Sequence, residues 1–472
     1  MSQRKRAAEP PVPEVADEFE KIDLGDERLN SRAKTLAALC AKAPAESFPE
    51  IAGSRSELEL AYRFFSNSRV SADALLEPHV RATVGRIEAA RTALVVHDTS
   101  EVHIPGEQLR EGLSWFSKNK QGFLLHAALA LSADGSRQPL GLLGALRWVR
   151  ERGGKKSGPE YEATKESRRW FQLAEAAGEA VGGRATLIHV MDREGDSYEL
   201  FALLLAAEHR FVIRLCHDRQ VLTEEAEDSL SLREAIGSAK ILVKRKVVIS
   251  RRSANKRKRP PRAIEKFGPR DARTASVVFK AMPLTIKRPT SSRRQGEPES
   301  IQVTVVQVVE PTPPPGAEPV EWLLVTTEPV KTAKDAARIV DYYRARWTIE
   351  EFFKALKTGC AYETRQLETH EALDRALMLF LPIAWRLLLL RTVARTDPNA
   401  TATTVLSETE IEVLRTRQKL PASPTARDVL LAVARLGGHL SNNGDPGWLV
   451  IARGMDKLLL LAEGWNARAT HT

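Results

Sequence analysis

Polar and apolar positions change rhythm several times along this chain, and each change marks an expected element. Before about Gly85 the spacing is helical: Leu24-Gly25-Asp26 opens a run through Leu39, and Ser54 caps a second run from Glu57 to Phe65. At Ala93-Leu94-Val95-Val96 the texture becomes that of a short buried strand, ending at His97 and Asp98. Phe123 to Leu131 and Leu140 to Val149 read as two further strands, and Ala133-Asp134-Gly135 between them is a turn signal, so the pair suits a hairpin. Tyr161 to Val181 is long, rich in Ala and Glu, and amphipathic; Ala185 to Met191 is another buried strand, finishing at Asp192. A helix from Ser197 to Glu208 and a strand from Arg210 to Cys216 follow. Neighbouring antiparallel strands followed by alternating helices and strands predict an α/β protein, with a mixed sheet covered by helices on both faces.

From about Asp218 to Pro329 the pattern turns to β-rich runs at Ile241 to Ile249, Ala275 to Met282, Ile301 to Val309 and Glu321 to Thr327. Pro, Gly and Ser gather between them, at Pro289 to Ser300 and Pro311 to Gly316, as they do in loops. One long helix is expected from Ala333 to Thr358, stopped near Gly359. The greasiest stretch, Ala376 to Leu390, contains Pro382 and Arg386 and falls short of the roughly 18 uninterrupted apolar residues of a spanning helix, so it reads as a buried core helix.

Composition narrows the class. The 472 residues are 43% hydrophobic and 28% charged, as in folded globular proteins, and the length suggests roughly two to four packed units. Net charge is +10. Lys244, Arg245, Lys246, Arg251, Arg252, Lys256, Arg257, Lys258, Arg259 and Arg262 fall in one run with no acid among them. Such a cluster suits phosphates and salt-sensitive nucleic-acid binding, although a solvated loop has the same composition. Cys40, Cys216 and Cys360 are too few and too scattered to read as a disulfide framework or a zinc site, and Met1 to Glu20 has no apolar stretch of a secretory signal, so a cytoplasmic protein is expected.

Two chemistry-bearing patterns stand out. Asp98 and Asp192 each end a buried strand; an acid there often only caps a turn, but on neighbouring strands of one sheet the two emerge at one edge, where they suit a hard cation. In the stretch Asp341 to Lys357, Tyr343, Arg346, Glu350 and Lys357 are spaced to share one helix face, with Trp347, Ile349, Phe353 and Leu356 elsewhere on it. A surface helix laced with ion pairs is the plainer reading of that spacing.

That stretch resembles the Tyr-x2-Arg-x3-Glu-x6-Lys signature of the IS4 family of transposases, and Asp98-Thr-Ser and Asp192-Arg-Glu resemble the same family's two aspartate motifs, in the same order. The likeness extends over Leu24-Gly25-Asp26, Ala61-Tyr62-Arg63-Phe64, the stretch from Trp322 to Pro329, and Ala434 to Gly438. It implies an RNase H-like core with Asp98, Asp192 and Glu350 as catalytic acids and metal ligands, Glu350 rather than Glu351 being the third. Two Mg²⁺ ions, about 3.5–4 Å apart and replaceable by Mn²⁺, would activate the attacking oxygen and stabilise the leaving one. Tyr343, Arg346 and Lys357 would grip phosphates, Trp322 would stack on a flipped base with Trp347 assisting, and Arg28, Arg32 and Arg63 would bind the transposon end.

The domains expected on this basis are a disordered tail at 1–20, a helical end-binding domain at 21–85, a catalytic core at 86–217 plus 331–372, a β-rich insertion at 218–330, and a helical dimerisation region at 373–472. The partners would be transposon-end DNA, target DNA and a second copy of the chain. Phe353 and Leu356 depart from the resemblance, standing where a member of that family has a histidine and a tryptophan. A metal-dependent nuclease of the same fold, or a DNA-binding protein that has lost catalysis, are the alternatives.

Overall fold

A left-handed turn at Gly25 (φ 73°) delivers Asp26 to the cap of a helix, where its carboxylate accepts the Arg28 N–H at 3.0 Å. Glycine meets that backbone at little steric cost, which accounts for Leu24-Gly25-Asp26 as a helix start. The structure, a computed structural model, describes residues 15–117, 120–150, 167–222, 229–249, 251, 270–290 and 296–469. The chain forms two compact units, Met1–Leu187 with Trp347–Thr472, and Ile188–Arg346.

In the first unit the opening helices are α1 (Val15–Glu18), α2 (Glu27–Lys42), α3 (Phe48–Ala52), α4 (Arg55–Phe65) and α5 (Ala72–Ala90). Ser54 caps α4 as expected, accepting the Glu57 N–H at 3.2 Å. Strands β1 (Thr92–Ile104), β2 (Ser114–Ser117), β3 (Lys120–Ser132) and β4 (Pro139–Trp148) pair antiparallel, β3 lying between β1 and β4. β1 does not stop at Asp98, where the apolar run ends. It runs on to Ile104, because Val102 and Ile104 are fully buried on it and its register with β3 continues unbroken to Gln121. The expected hairpin is present, with Asp134 accepting the Ser136 N–H at 2.9 Å in the turn. Helix α6 (Arg168–Val181) is the described part of the expected long helix; 161–166 lie outside the described residues. Val84 and Ile87 of α5 and Leu173 and Ala177 of α6 close over Val95, Ala128, Ala130 and Leu143, which buries one face of the strands.

Strand β5 (Thr186–Met191) leads into the second unit and pairs in parallel with β6 (Arg210–Arg214) after helix α7 (Tyr198–Ala206). Then come β7 (Gln220–Leu222), β8 (Leu230–Ser231), α8 (Leu232–Ser238), β9 (Ile241–Ile249), β10 (Arg273–Lys287), β11 (Ser300–Val309), β12 (Glu321–Thr326) and α9 (Ala333–Ala345). In this unit the order is β5-β6-β12-β11-β10, antiparallel after the first pair, with β9 and β7 both on β10. The parallel pair among antiparallel ones makes the sheet mixed, as the alternation of elements predicted. Three of the four β-rich runs appear at or near their expected bounds, and the fourth, expected to end at Met282, runs on to Lys287 as β10.

The expected single helix from Ala333 to Thr358 is corrected. α9 ends at Ala345, the Arg346 N–H reaches back only three residues to the Tyr343 carbonyl at 3.1 Å, and α10 (Trp347–Lys354) begins anew. From Ala355 to Gly359 the turns are π-helical. A spacing argument that assumes 3.6 residues per turn throughout therefore does not hold from Tyr343 to Lys357.

Back in the first unit lie α11 (His370–Thr396), α12 (Glu408–Arg417), α13 (Ala426–Leu436) and α14 (Trp448–Ala469). α11 is long and apolar enough to cross a membrane, but 89% of its most apolar window is buried inside the structure, which fits the core-helix reading. Trp385 on it donates to the Pro139 carbonyl at 3.0 Å. α13 and α14 cross so closely that a Cβ on Gly437 would lie 1.9 Å from the Val450 carbonyl oxygen, and one on Gly454 1.9 Å from that of Val433.

Candidate functional site

Asp98 sits mid-strand on β1, opposite Ala127 of β3, half-buried, with its Oδ1 accepting the Thr99 N–H at 2.9 Å. Alternation along the strand puts His97 and Thr99 on the other face. There Thr99 meets the His126 Nδ1 at 2.9 Å, and the His126 ring lies 5.7 Å from that of His97 and 4.6 Å from that of Trp170. Burial, with the Arg169 charge adding to it, pushes the His126 imidazole down to about 3, so the His126 ring behind the strand that carries Asp98 is neutral.

Helix α10 packs against β1 within the same unit and carries two consecutive glutamates. Glu351 accepts from Lys354 at 2.6 Å and from Arg391 of α11 at 2.5 Å. Burial works to raise its carboxyl, but these two cations outweigh it and hold the group below the usual range. Glu350, about 100° round the helix, is half-buried on a different face. Lys357 donates to the Glu101 carbonyl on β1 and lies 3.3 Å from Glu363, which also accepts the His103 N–H at 2.9 Å. Trp347 is 59% exposed.

In the second unit Asp192 follows β5 directly and caps the turn Arg193–Gly195, accepting the Glu194 N–H at 2.8 Å. Asp196 beyond it is engaged: its Oδ2 accepts the Cys216 and His217 N–H groups at 2.6 and 2.8 Å, and its Oδ1 forms an ion pair with Arg219 at 2.6 Å. Asp196, Cys216 and His217 are the one trio among the described residues with metal-capable atoms within 4.8 Å of one another, and the Arg219 charge opposes a cation there.

Trp322 of β12 meets Tyr343 of α9 edge to face, and the Arg214 guanidinium lies 5.8 Å from the same indole. Arg214 was missed in the sequence. Its one signal is register: it pairs with Leu324, two residues on from Trp322, and so shares a face with it. Arg346 is half-buried.

Strand alternation splits the basic run. Arg245 turns to Asp341 of α9 at 2.9 Å, whereas Lys244 and Lys246 are exposed, Lys246 standing opposite Ser276 of β10. Arg251 is exposed; Arg252, Lys256, Arg257, Lys258, Arg259 and Arg262 lie outside the described residues. Of the three N-terminal arginines, Arg28 and Arg63 are exposed, and Arg32 pairs with Glu57 at 2.6 Å, tying α2 to α4.

Asp98 and Glu350 thus belong to one unit and Asp192 to the other. Residues 14–70 match the family profile described as Transposase DNA-binding, and residues 172–384 match that described as Transposase DDE domain. A solved structure, a cryo-EM piggyBac transposase synaptic complex with hairpin DNA, aligns over 81% of this chain and 73% of its own, at 11% identity and a TM-score of 0.35. That superposition is too loose to carry an argument. The two family matches support a DNA-binding DDE transposase, a class whose domain is generally dependent on a divalent metal and has an RNase H-like fold.

Proposed function

We propose that this chain, with its matches to a transposase DNA-binding domain and a transposase DDE domain, is a cut-and-paste transposase of the IS4 kind. It would cleave DNA at the inverted-repeat ends of a mobile element, through a hairpin intermediate, and join those ends to target DNA. One observation carries the reading. The DDE match contains both Asp192, at the end of β5, and Glu350, on α10, and the third acid, Asp98, lies on β1, the strand against which α10 packs.

Three carboxylates are hard oxygen donors of the type Mg²⁺ prefers. In this reading Asp98, Asp192 and Glu350 would hold the divalent ions. The chemistry that bound Mg²⁺, or Mn²⁺ in its place, would supply is activation of the attacking oxygen and neutralisation of charge on the leaving one. Tyr343, Arg346 and Lys357 hold end phosphates, and Trp322, supported by Trp347, receives the base that leaves the stack when the end is bent. Arg28, Arg32 and Arg63 bind the transposon end, and Lys244, Lys246 and the run beyond them supply phosphate contacts. Two copies act together, joined through the C-terminal helical region.

The test uses the full chain with Mg²⁺, duplex ends taken from the DNA flanking its coding sequence, and a target plasmid. Cleaved ends that become joined to the plasmid are the expected result. Cleavage with no joined product would make the protein a nuclease instead.

A further inference from the structure

Helix α10 has only eight residues, bounded by the tightened turn at Arg346 and by the π-helical turns that start at Ala355. A segment that follows a tightened turn and runs into π-helical turns has a rotation that side-chain ties help to set. Ile349, Phe352 and Phe353 supply buried apolar ones. The polar tie is Glu351: its two carboxylate oxygens are taken by Lys354 at 2.6 Å and by Arg391 at 2.5 Å, and the Arg391 guanidinium carbon lies over Trp448, 4.4 Å from the ring centroid. Trp448 is the first residue of α14 and is buried. The chain just before it is pinned too, because Asp445 pairs with Arg427 of α13 at 2.6 Å and with Arg395 of α11 at 3.6 Å.

We propose that Glu351, Arg391 and Trp448 form a positioning linkage that fixes the rotation of α10 and thereby aims the Glu350 carboxylate. This rests on the reading of Glu350 as a metal ligand. Consecutive helix residues stand about 100° apart, so clamping Glu351 on the α11 side determines where Glu350 points. Errors of about 1 Å in a reacting group can cost about 100-fold in rate, and the Lys354 pair, exposed and local, is too weak to prevent them alone. The linkage also makes the aim of Glu350 answerable to the seating of α14, so the C-terminal helices contribute to the chemistry through it.

The test compares the full-length wild type with Glu351→Gln, Arg391→Met, the charge-exchanged pair Glu351→Arg with Arg391→Glu, and Glu350→Gln. Four properties are read: Mn²⁺ binding by electron paramagnetic resonance without DNA, the Mg²⁺ dependence of single-turnover cleavage, end-DNA binding by gel shift, and Tm. Glu351→Gln and Arg391→Met are expected to weaken Mn²⁺ binding and slow cleavage by about 10–100-fold, with end binding unchanged, and the exchanged pair to recover most of both losses. Wild-type Mn²⁺ binding and cleavage in Glu351→Gln, alongside an inactive Glu350→Gln, would overturn the linkage alone. So would an exchanged pair that regains Tm but not cleavage. Wild-type cleavage by Glu350→Gln would instead remove the reading beneath it.

Discussion

Trp322 and Tyr343 meet edge to face, with ring centroids 5.3 Å apart and planes at 71°. The contact fixes one edge of the half-buried indole while Arg214 approaches the ring, so the tryptophan is held in place by its neighbours. Trp322→Ala is expected to slow end cleavage by about 10-fold or more, since a base stacked on an aromatic ring is worth about 1–3 kcal/mol. Trp322→Phe should retain most of the rate. A 2-aminopurine placed at the terminal bases of the duplex end reads the stacking directly; equal fluorescence change with wild type and Trp322→Ala would remove the role.

The splitting of the basic run by β9 gives a second outcome. Lys244→Ala and Lys246→Ala are each expected to lower the slope of log binding constant against log salt by about one, uniformly across DNA sequences. Arg245→Ala, whose guanidinium is engaged by Asp341, should change that slope less. Fluorescence anisotropy at several salt concentrations decides it, and an equal drop for all three would mean that the ion pair opens to DNA.

How much was legible follows the range of the interactions involved. The strands β9, β11 and β12 came out at or near their bounds because alternation and turn residues are local, and α11 read as core because its apolar stretch is broken by Pro382 and Arg386. The apolar run from Ala93 ends at His97 and Asp98, and only pairing with β3 shows that Ser100 to Ile104 continue the strand. The break at Arg346 and the π-helical turns after Lys354 leave no mark in the periodicity, since Tyr343, Arg346, Glu350 and Lys357 fit an ideal helix well. Partners such as Arg214 for Trp322, or Arg391 for Glu351, depend on register and packing between distant segments, which no local pattern encodes.

Glu18 is buried between His79 and Arg86, the latter 2.7 Å away and stacked on Trp385. Burial raises its carboxyl, but His79 and Arg86 outweigh burial and hold it below its ordinary value of 4.5. Removing one member of such a buried group costs about 3–5 kcal/mol, so Glu18→Ala should lower Tm by several degrees. Because the folded value is depressed, the stabilisation is full above pH 4.5 and fades as pH falls through the lower folded value. Denaturant titrations that show no gap between wild type and Glu18→Ala at pH 7 would contradict this.

His126 and His189 set a different acid limit. Burial pushes both down to about 3, with Arg169 beside the first and His209 beside the second adding to it. Each stays neutral in the fold and takes a proton when unfolded, so its contribution is complete above pH 6.5 and drains as pH falls from there toward 3. The loss is about 1.4 kcal/mol per pH unit for each histidine. Replacing either by Leu should flatten stability against pH between 6 and 5; an unchanged slope would show that the rings are already protonated in the native protein.

The proposed joint action of Asp98, Asp192 and Glu350 is put to the test by single-turnover cleavage of a plasmid carrying the flanking repeats, with Mg²⁺, by the wild type and by Asp98→Asn, Asp192→Asn and Glu350→Gln. Each variant is expected to bind the repeats as the wild type does and to leave the plasmid uncut. Cleavage by any one of the three at a rate close to wild type would contradict the assignment.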